Sequence, residues 1–173
     1  MNSETLESPS RRSLFRRFTR PPEVELPESG HPRPPWAVDN KSFLALCNRC
    51  NQCIDQCPQG VLQKSDETHP ILISLPVLVL QHGSCDFCRK CADVCPTGAL
   101  CLVNGVKKQA VAQVNNNCQL TYNQHCDLCL DACGENAITL SEDNRMSVDT
   151  ERCTGCGECA LDCYNTAISL VKH

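Results

Sequence analysis

The sequence predicts an α+β protein: two small tandem modules, each of short helices and small antiparallel hairpins, behind a mostly disordered N-terminal tail. Three observations carry this expectation. The chain has 17 cysteines in 173 residues. Most of them fall into four copies of one spaced motif. The apolar share of 41% drops to about 31% once cysteine is set aside, below the usual globular share. With one Trp, two Tyr and four Phe, modules of roughly 60 residues need a staple beyond hydrophobic packing.

The clearest copy of the motif is Cys85, Cys88, Cys91 and Cys95 with Pro96, spaced C-x2-C-x2-C-x3-C-P. Bacterial ferredoxins use this run to hold a [4Fe–4S] cluster. Three thiols on one tight loop cap three irons of a cube, and the fourth ligates the other cluster of a two-cluster module. The same spacing occurs at Cys47, Cys50, Cys53 and Cys57 with Pro58. It recurs at Cys153, Cys156, Cys159 and Cys163, where Tyr164 replaces proline. A stretched copy, Cys118, Cys126, Cys129 and Cys133 followed by Gly134, completes the set. Four copies imply four [4Fe–4S] clusters in two ferredoxin-like modules, residues 39–110 and 111–173, after a tail of residues 1–38.

Other uses of the cysteines fit less well. A disulfide framework is at odds with the odd count, with thiols crowded on one loop, and with a start that shows no leader of apolar h-region and cleavage site. Zinc sites take two C-x2-C pairs and have no use for a third thiol at x2 or a fourth at x3 before proline. No C-x2-C is followed by histidine, so covalent haem attachment is excluded. The formal net charge is −4, and a fully ligated oxidised cube adds roughly −2. An acidic body of this kind is not expected to bind nucleic acid; a basic docking surface suits it better.

An internal repeat runs through the body. Each fourth cysteine opens a similar phrase: Cys57-Pro-Gln-Gly-Val-Leu62, Cys95-Pro-Thr-Gly-Ala-Leu100, Cys133-Gly-Glu-Asn-Ala-Ile138 and Cys163-Tyr-Asn-Thr-Ala-Ile168. One helical turn is expected between the third and fourth cysteines of each motif, and a short strand after each phrase. Asn104-Gly105 suggests a tight hairpin after Leu100–Val103, with Val106 onward returning. Ser141–Asn144 suggests a second, between Ile138–Leu140 and Met146–Val148. Ile71–Leu80 is the longest apolar stretch, too short and too interrupted to span a bilayer. No transmembrane segment is expected, and labile clusters point to the reducing cytoplasm.

If sequence neighbours pair, Cys47, Cys50 and Cys53 share a cube with Cys95, while Cys85, Cys88 and Cys91 take Cys57. In the second module Cys118, Cys126 and Cys129 then take Cys163, and Cys153, Cys156 and Cys159 take Cys133. Cys118 is the departure, since seven residues separate it from Cys126. It is read as a ligand across a looped-out insert, so that all sixteen motif cysteines are ligands; were it not, its cluster would be a three-iron or labile one. Cys101 reads as a buried strand thiol, and His82 and His125 as bystanders. Four thiolates complete a cube and leave no iron open to substrate, so electron exchange is implied. With no nucleotide loop and no Ser/His/Asp arrangement, no catalytic reaction is expected.

The tail holds five arginines in ten residues, within Ser10–Arg20. On a helix, Leu14, Phe15 and Phe18 would share a face, flanked by Arg11, Arg12, Arg16 and Arg17. Such a segment is either a solvated basic patch or a short docking helix for an acidic groove or an anionic membrane surface. The paired arginines also resemble a twin-arginine signal, but prolines and glutamates follow in place of an apolar region, so export is not expected. The proline-rich run Pro21–Pro35 should be extended and poorly ordered.

Four motifs in this order, the arginine-rich Ser10-Arg11-Arg12, the approach Arg33-Pro34-Pro35-Trp36, the long Cys118–Cys126 gap and the ending Cys153-Thr-Gly-Cys156-Gly-Glu-Cys159 together resemble the NapF-type ferredoxins over nearly the whole chain. That resemblance implies a cytoplasmic accessory protein of a periplasmic nitrate reductase system. It implies four [4Fe–4S] clusters and contact with the precursor of the catalytic subunit NapA before export, in aid of that subunit's own iron–sulfur centre. On this reading the arginine-rich tail and Trp36 become candidate docking elements, unless Trp36 merely packs on the first module. Removing residues 1–35 should then abolish precursor binding and spare the clusters. The alternative is a general polyferredoxin electron carrier in a redox chain.

Overall fold

The computed structural model describes residues 26–173, and the two halves repeat one plan. The first half opens with helix α1 (Asn40–Leu46). The Asp39 side chain caps it by accepting the Ser42 N–H at 3.0 Å, one of the donors that a first turn leaves unpaired. Phe43 is the buried residue of α1, so a single ring seats the helix on the core and Cys47 follows at its C-cap. Next come α2 (Gln52–Asp55), the hairpin of β1 (Leu62–Lys64) and β2 (Pro76–Leu78), and α3 (Lys90–Asp93). The second half runs β3 (Ala110–Val114), α4 (Leu128–Ala132), the hairpin of β4 (Ile138–Leu140) and β5 (Met146–Val148), α5 (Glu158–Leu161) and β6 (Ile168–Lys172). A helical turn thus stands between the third and fourth cysteines of every motif.

All strand pairs are antiparallel and two-stranded. Leu62 lies opposite Leu78 in the first hairpin, and Ile138 opposite Val148 in the second. In the second half β3 and β6 pair over five positions, from Ala110 opposite Lys172 to Val114 opposite Ile168. The first-half counterpart is a single bridge, Ala37 to Leu100. Each half therefore closes its own two ends, on a small core of its own: Phe43, Val61, Leu75 and Ala99 in the first, Ala112, Leu120, Ile138 and Ile168 in the second.

The hairpin expected at Asn104-Gly105 is absent. Leu102–Asn104 form a 3-10 turn, and the chain then runs on into β3, whose partner is β6. Val103 is 89% exposed and Val106 49%, so a strand returning there would have no apolar face to bury. A module boundary drawn between 110 and 111 consequently falls inside β3. Cys101 is extended and half-buried, outside any strand.

The proline-rich approach is also more than a tail. Ser29, Arg33, Pro34 and Pro35 are buried against the first half. The Leu78 N–H donates to the Pro32 carbonyl (2.8 Å), Lys107 to Pro35 (2.8 Å) and Cys101 to Trp36 (2.9 Å). Prolines suit such a segment because they carry no N–H that burial would orphan. The arginine-rich segment with Arg11, Arg12, Phe15, Arg16 and Arg17 lies outside the described residues.

The halves are joined where the second motif meets the fourth. Cys85 N–H donates to the Cys156 carbonyl at 2.7 Å. Gly157 sits on Leu80, and Gly155 backs onto the Ala110 carbonyl. The Lys172 ammonium meets Glu28 at 3.1 Å and the Ser29 carbonyl at 3.2 Å, tying the last strand to the approach segment.

Gly98 and Gly155 share a left-handed backbone, with φ of 73° and 75°, but a methyl on Gly98 meets open space whereas one on Gly155 runs into Ala110. Gly98→Ala should cost only the left-handed term, roughly 1–2 kcal/mol. Gly155→Ala should cost clearly more, read as the larger fall in melting temperature of the iron-loaded protein. Equal losses would mean that the junction gives way freely.

Candidate metal centres

Each of the four thiol sets lines a cavity of its own, and each is drawn from two motifs. Cys47, Cys50 and Cys53 face Cys95, beside Phe43 and Leu100. Cys85, Cys88 and Cys91 face Cys57, with Trp36 and Val61 in the wall. Cys118, Cys126 and Cys129 face Cys163. Cys153, Cys156 and Cys159 face Cys133.

One backbone hydrogen bond, made four times, produces this crossing. In each phrase the residue four places after the fourth cysteine is small and almost wholly buried: Val61, Ala99, Ala137 and Ala167. Its carbonyl accepts an N–H from the segment that leads into the other motif. Val38 donates to Ala99 (3.1 Å), Val79 to Val61 (2.8 Å), Asn115 to Ala167 (2.8 Å) and Asp149 to Ala137 (2.7 Å). The bond ties the entry of one motif to the exit of its neighbour. The fourth cysteine therefore arrives beside three thiols that are not its own.

The tight loops rest on two left-handed residues flanking the middle cysteine. These are Arg49 and Asn51 around Cys50, Phe87 and Arg89 around Cys88, and Gly155 and Gly157 around Cys156. Only the last pair announces itself fully in the sequence: glycine favours that conformation and asparagine tolerates it, whereas arginine and phenylalanine do not. The third motif solves the same problem differently. Its insert forms a 3-10 turn, Gln119–Tyr122, anchored by buried Leu120 and closed by left-handed Asn123. The Asn115 side-chain amide donates to the Thr166 carbonyl (3.2 Å) and that of Asn165 to the Asn117 carbonyl (3.4 Å), holding Cys118 against the phrase that carries Cys163.

The surroundings of the sulfurs favour metal-bound thiolates. Burial pushes the Cys53, Cys85 and Cys129 thiols up to about 11, with neighbouring thiols adding to the effect. Burial likewise pushes Cys91 and Cys159 up to about 12. Such groups are neutral at pH 7 unless a cation compensates their charge. N–H groups wait at the fourth cysteines: Leu100 points at Cys95 Sγ (3.4 Å), Ala137 at Cys133 Sγ (3.3 Å) and Ala167 at Cys163 Sγ (3.2 Å). Burial alone would raise the Cys95 thiol, but the N–H and hydroxyl donors of Leu100, Thr97 and Gly98 outweigh it and lower its pKa.

None of the 17 cysteines is paired in a disulfide. Among the described residues no three His, Cys, Asp or Glu side chains are placed to hold a single metal ion; each set instead surrounds a space. Four soft donors around one cavity, with N–H groups aimed at sulfur, fit an iron–sulfur cube. His125 faces Asp127 on the surface at 3.4 Å, and neither it nor His82 lines any of the four thiol cavities. Trp36 is half-buried in the wall of the Cys57 set. Phe87 lies in the walls of both the Cys57 and the Cys133 sets, at the junction of the halves. The Cys47 and Cys57 sets lie within electrostatic reach of each other in the first half, as do the Cys133 and Cys118 sets in the second, and Phe87 with the Cys85–Cys156 backbone hydrogen bond joins the Cys57 set to the Cys133 set.

Cys118→Ala and Cys163→Ala, although 45 residues apart, should abolish one and the same EPR signal of the reduced protein. Cys133→Ala and Cys153→Ala should together abolish a different one. A Cys118→Ala protein with undiminished iron and an unaltered spectrum would remove Cys118 from the ligands.

Two regions match family models described as 4Fe-4S dicluster domains, residues 37–100 and residues 124–167. The chain is 35% identical over 161 residues to an uncharacterized protein of Haemophilus influenzae, covering 93% of this chain and 90% of that protein. It is 32% identical over 142 residues to the ferredoxin-type protein NapF of the same organism, covering 80% and 77% of the two chains. With the ferredoxin-type protein NapF of Escherichia coli it shares 30% identity over 141 residues, covering 79% and 82%. Cysteine sets that fit cubes, two dicluster domains and relatives aligned along most of both chains lead to one conclusion: the chain belongs to the NapF-type ferredoxins.

Proposed function

We propose that this protein carries four [4Fe–4S] clusters in the cytoplasm and serves the maturation of a periplasmic nitrate reductase by engaging the NapA precursor before export. The observation that supports this reading best is the set of four complete thiol quartets, each from crossed motifs and each around its own cavity. The ligands are the sixteen motif cysteines: Cys47, Cys50, Cys53 and Cys95; Cys57, Cys85, Cys88 and Cys91; Cys118, Cys126, Cys129 and Cys163; Cys133, Cys153, Cys156 and Cys159. When bound, the cubes supply reversible one-electron chemistry.

The chain's own contribution is to hold and shield. The buried thiols would hold the iron as thiolates, giving up their protons on loading. The N–H groups of Leu100, Ala137 and Ala167 stabilise negative charge on the sulfurs they face. Phe43, Leu100 and Trp36 keep water from the first two centres. With every thiolate position committed, the protein acts as a carrier and not as an enzyme. Among the described residues no helix is long and apolar enough to cross a membrane.

Precursor recognition is assigned to the arginine-rich segment ahead of residue 26. The packing of Ser29–Pro35 moves the cut that tests it: removing residues 1–35 would strip buried Arg33 and Pro34 from the first half, whereas removing 1–25 leaves every described contact in place.

Anaerobically loaded full-length protein should contain about 16 iron and 16 acid-labile sulfide per chain. It should capture the NapA precursor, and the protein lacking residues 1–25 should lose that capture with its iron unchanged. About 12 iron would remove one centre from the reading. Absence of precursor capture by the full chain would leave a general electron carrier.

A further inference from the structure

Buried polar side chains are few among the described residues: Ser29, Arg33 and Ser65, all in the first half, with Arg33 the only charged one. Arg33 is 6% exposed, and its Nε and both Nη atoms have no hydrogen-bond partner. The other arginines of the cysteine loops are spent on ordinary partners. Arg49 donates to the carbonyls of Ile71 and Ile73, Arg152 to that of Glu135, and Arg89 faces Asp93 on the surface. The carboxylate nearest in effect to Arg33 is Glu67, whose oxygens are already taken by the Gly30 N–H at 2.6 Å and the Ser65 hydroxyl at 3.2 Å. A buried, unpaired guanidinium is among the costliest groups a core can hold.

Its position points to what compensates it. The Arg33 guanidinium lies over the Phe43 ring, 5.0 Å from its centroid. Phe43 is fully buried, and the ring stands in the wall of the cavity formed by Cys47, Cys50, Cys53 and Cys95. Arg33 therefore sits one aromatic ring behind that centre, in a region of low dielectric where charges interact over longer distances than at the surface.

We propose that Arg33 is the built-in counter-charge of the Cys47–Cys50–Cys53–Cys95 centre, raising its reduction potential by stabilising the added electron. The inference rests on the ligand assignment proposed above. Each reduction adds one electron to the cube and breaks no bond, so a fixed positive charge behind the wall favours the reduced form directly. Arg33 is a positioning residue for charge, and its guanidinium makes no hydrogen bond to a cysteine.

The test is an EPR-monitored redox titration of anaerobically loaded full-length protein, poised with dithionite and mediators, alongside iron content. In Arg33→Met one of the reduction waves should move to lower potential. The expected shift is at least a tenfold change in the oxidised-to-reduced ratio at fixed poise, equal to 59 mV for one electron. Arg33→Lys, which keeps the charge and loses the planar stack, should stay near the wild-type value. In a protein that also carries Cys50→Ala, Arg33→Met should move no remaining wave. Full iron with every wave unmoved in Arg33→Met would overturn the proposal and leave Arg33 a packing residue. Loss of this centre in Arg33→Met with retention in Arg33→Lys would support a charge role, and loss in both would overturn it. A Cys50→Ala protein that keeps all of its iron would instead overturn the ligand assignment itself.

Discussion

Every thiol set here depends on a cysteine that arrives from the neighbouring motif, and that arrival depends on one backbone hydrogen bond. The carbonyl of Val61, Ala99, Ala137 or Ala167 receives an N–H from the approach to the partner motif. The residue must be small, because the chain passes through the core at that point, and three of the four are alanine. The bond makes each half a reciprocal pair, in which neither motif closes its centre without the exit phrase of the other. Folding and loading are thereby coupled within a half, since a motif that has lost its neighbour offers three thiols and a gap.

The same crossing explains how so little apolar mass suffices. Each core is a cluster of small and medium side chains with cysteines packed on it, and the metal sites take the place of a larger interior. Thiols pushed up to about 12 by burial, such as Cys91 and Cys159, are weak acids on their own and stay neutral near pH 7. Iron turns the same burial to advantage, because a thiolate bonded to metal and shielded from water is not readily displaced. Burial opposes charge on the empty sites and protects it in the filled ones.

Much of this was legible in the sequence, because ligand spacing is a covalent constraint that no tertiary context overrides. The four motifs, the helical turn inside each and the Ser141–Asn144 hairpin follow from residue type and position. The Asn104-Gly105 hairpin did not form, since turn chemistry is only local and the flanking valines had no surface to cover. The burial of Arg33 and Pro34 was hidden by composition: proline-rich, charged segments usually remain outside, and here the carbonyls of Pro32, Pro35 and Trp36 found donors on the first half. The left-handed residues of the loops were masked in the same way. Gly155 and Gly157 mark their positions openly and Asn51 does so weakly, whereas Arg49, Phe87 and Arg89 adopt the same backbone without an identifying residue type.

The order of the thiol sets in space differs from their order along the chain. The third motif supplies most of one outer set, while the fourth, last in sequence, supplies most of an inner set and hands Cys163 to that outer one. A ribosome making this protein therefore completes the first half as a closed unit well before the end. The second half stays open until its last strand emerges: both of its sets wait for the final motif, and β3 stands unpaired until β6 appears. An unfinished chain released before that moment would lack three thiols of an inner set and one thiol of the outer set beside it.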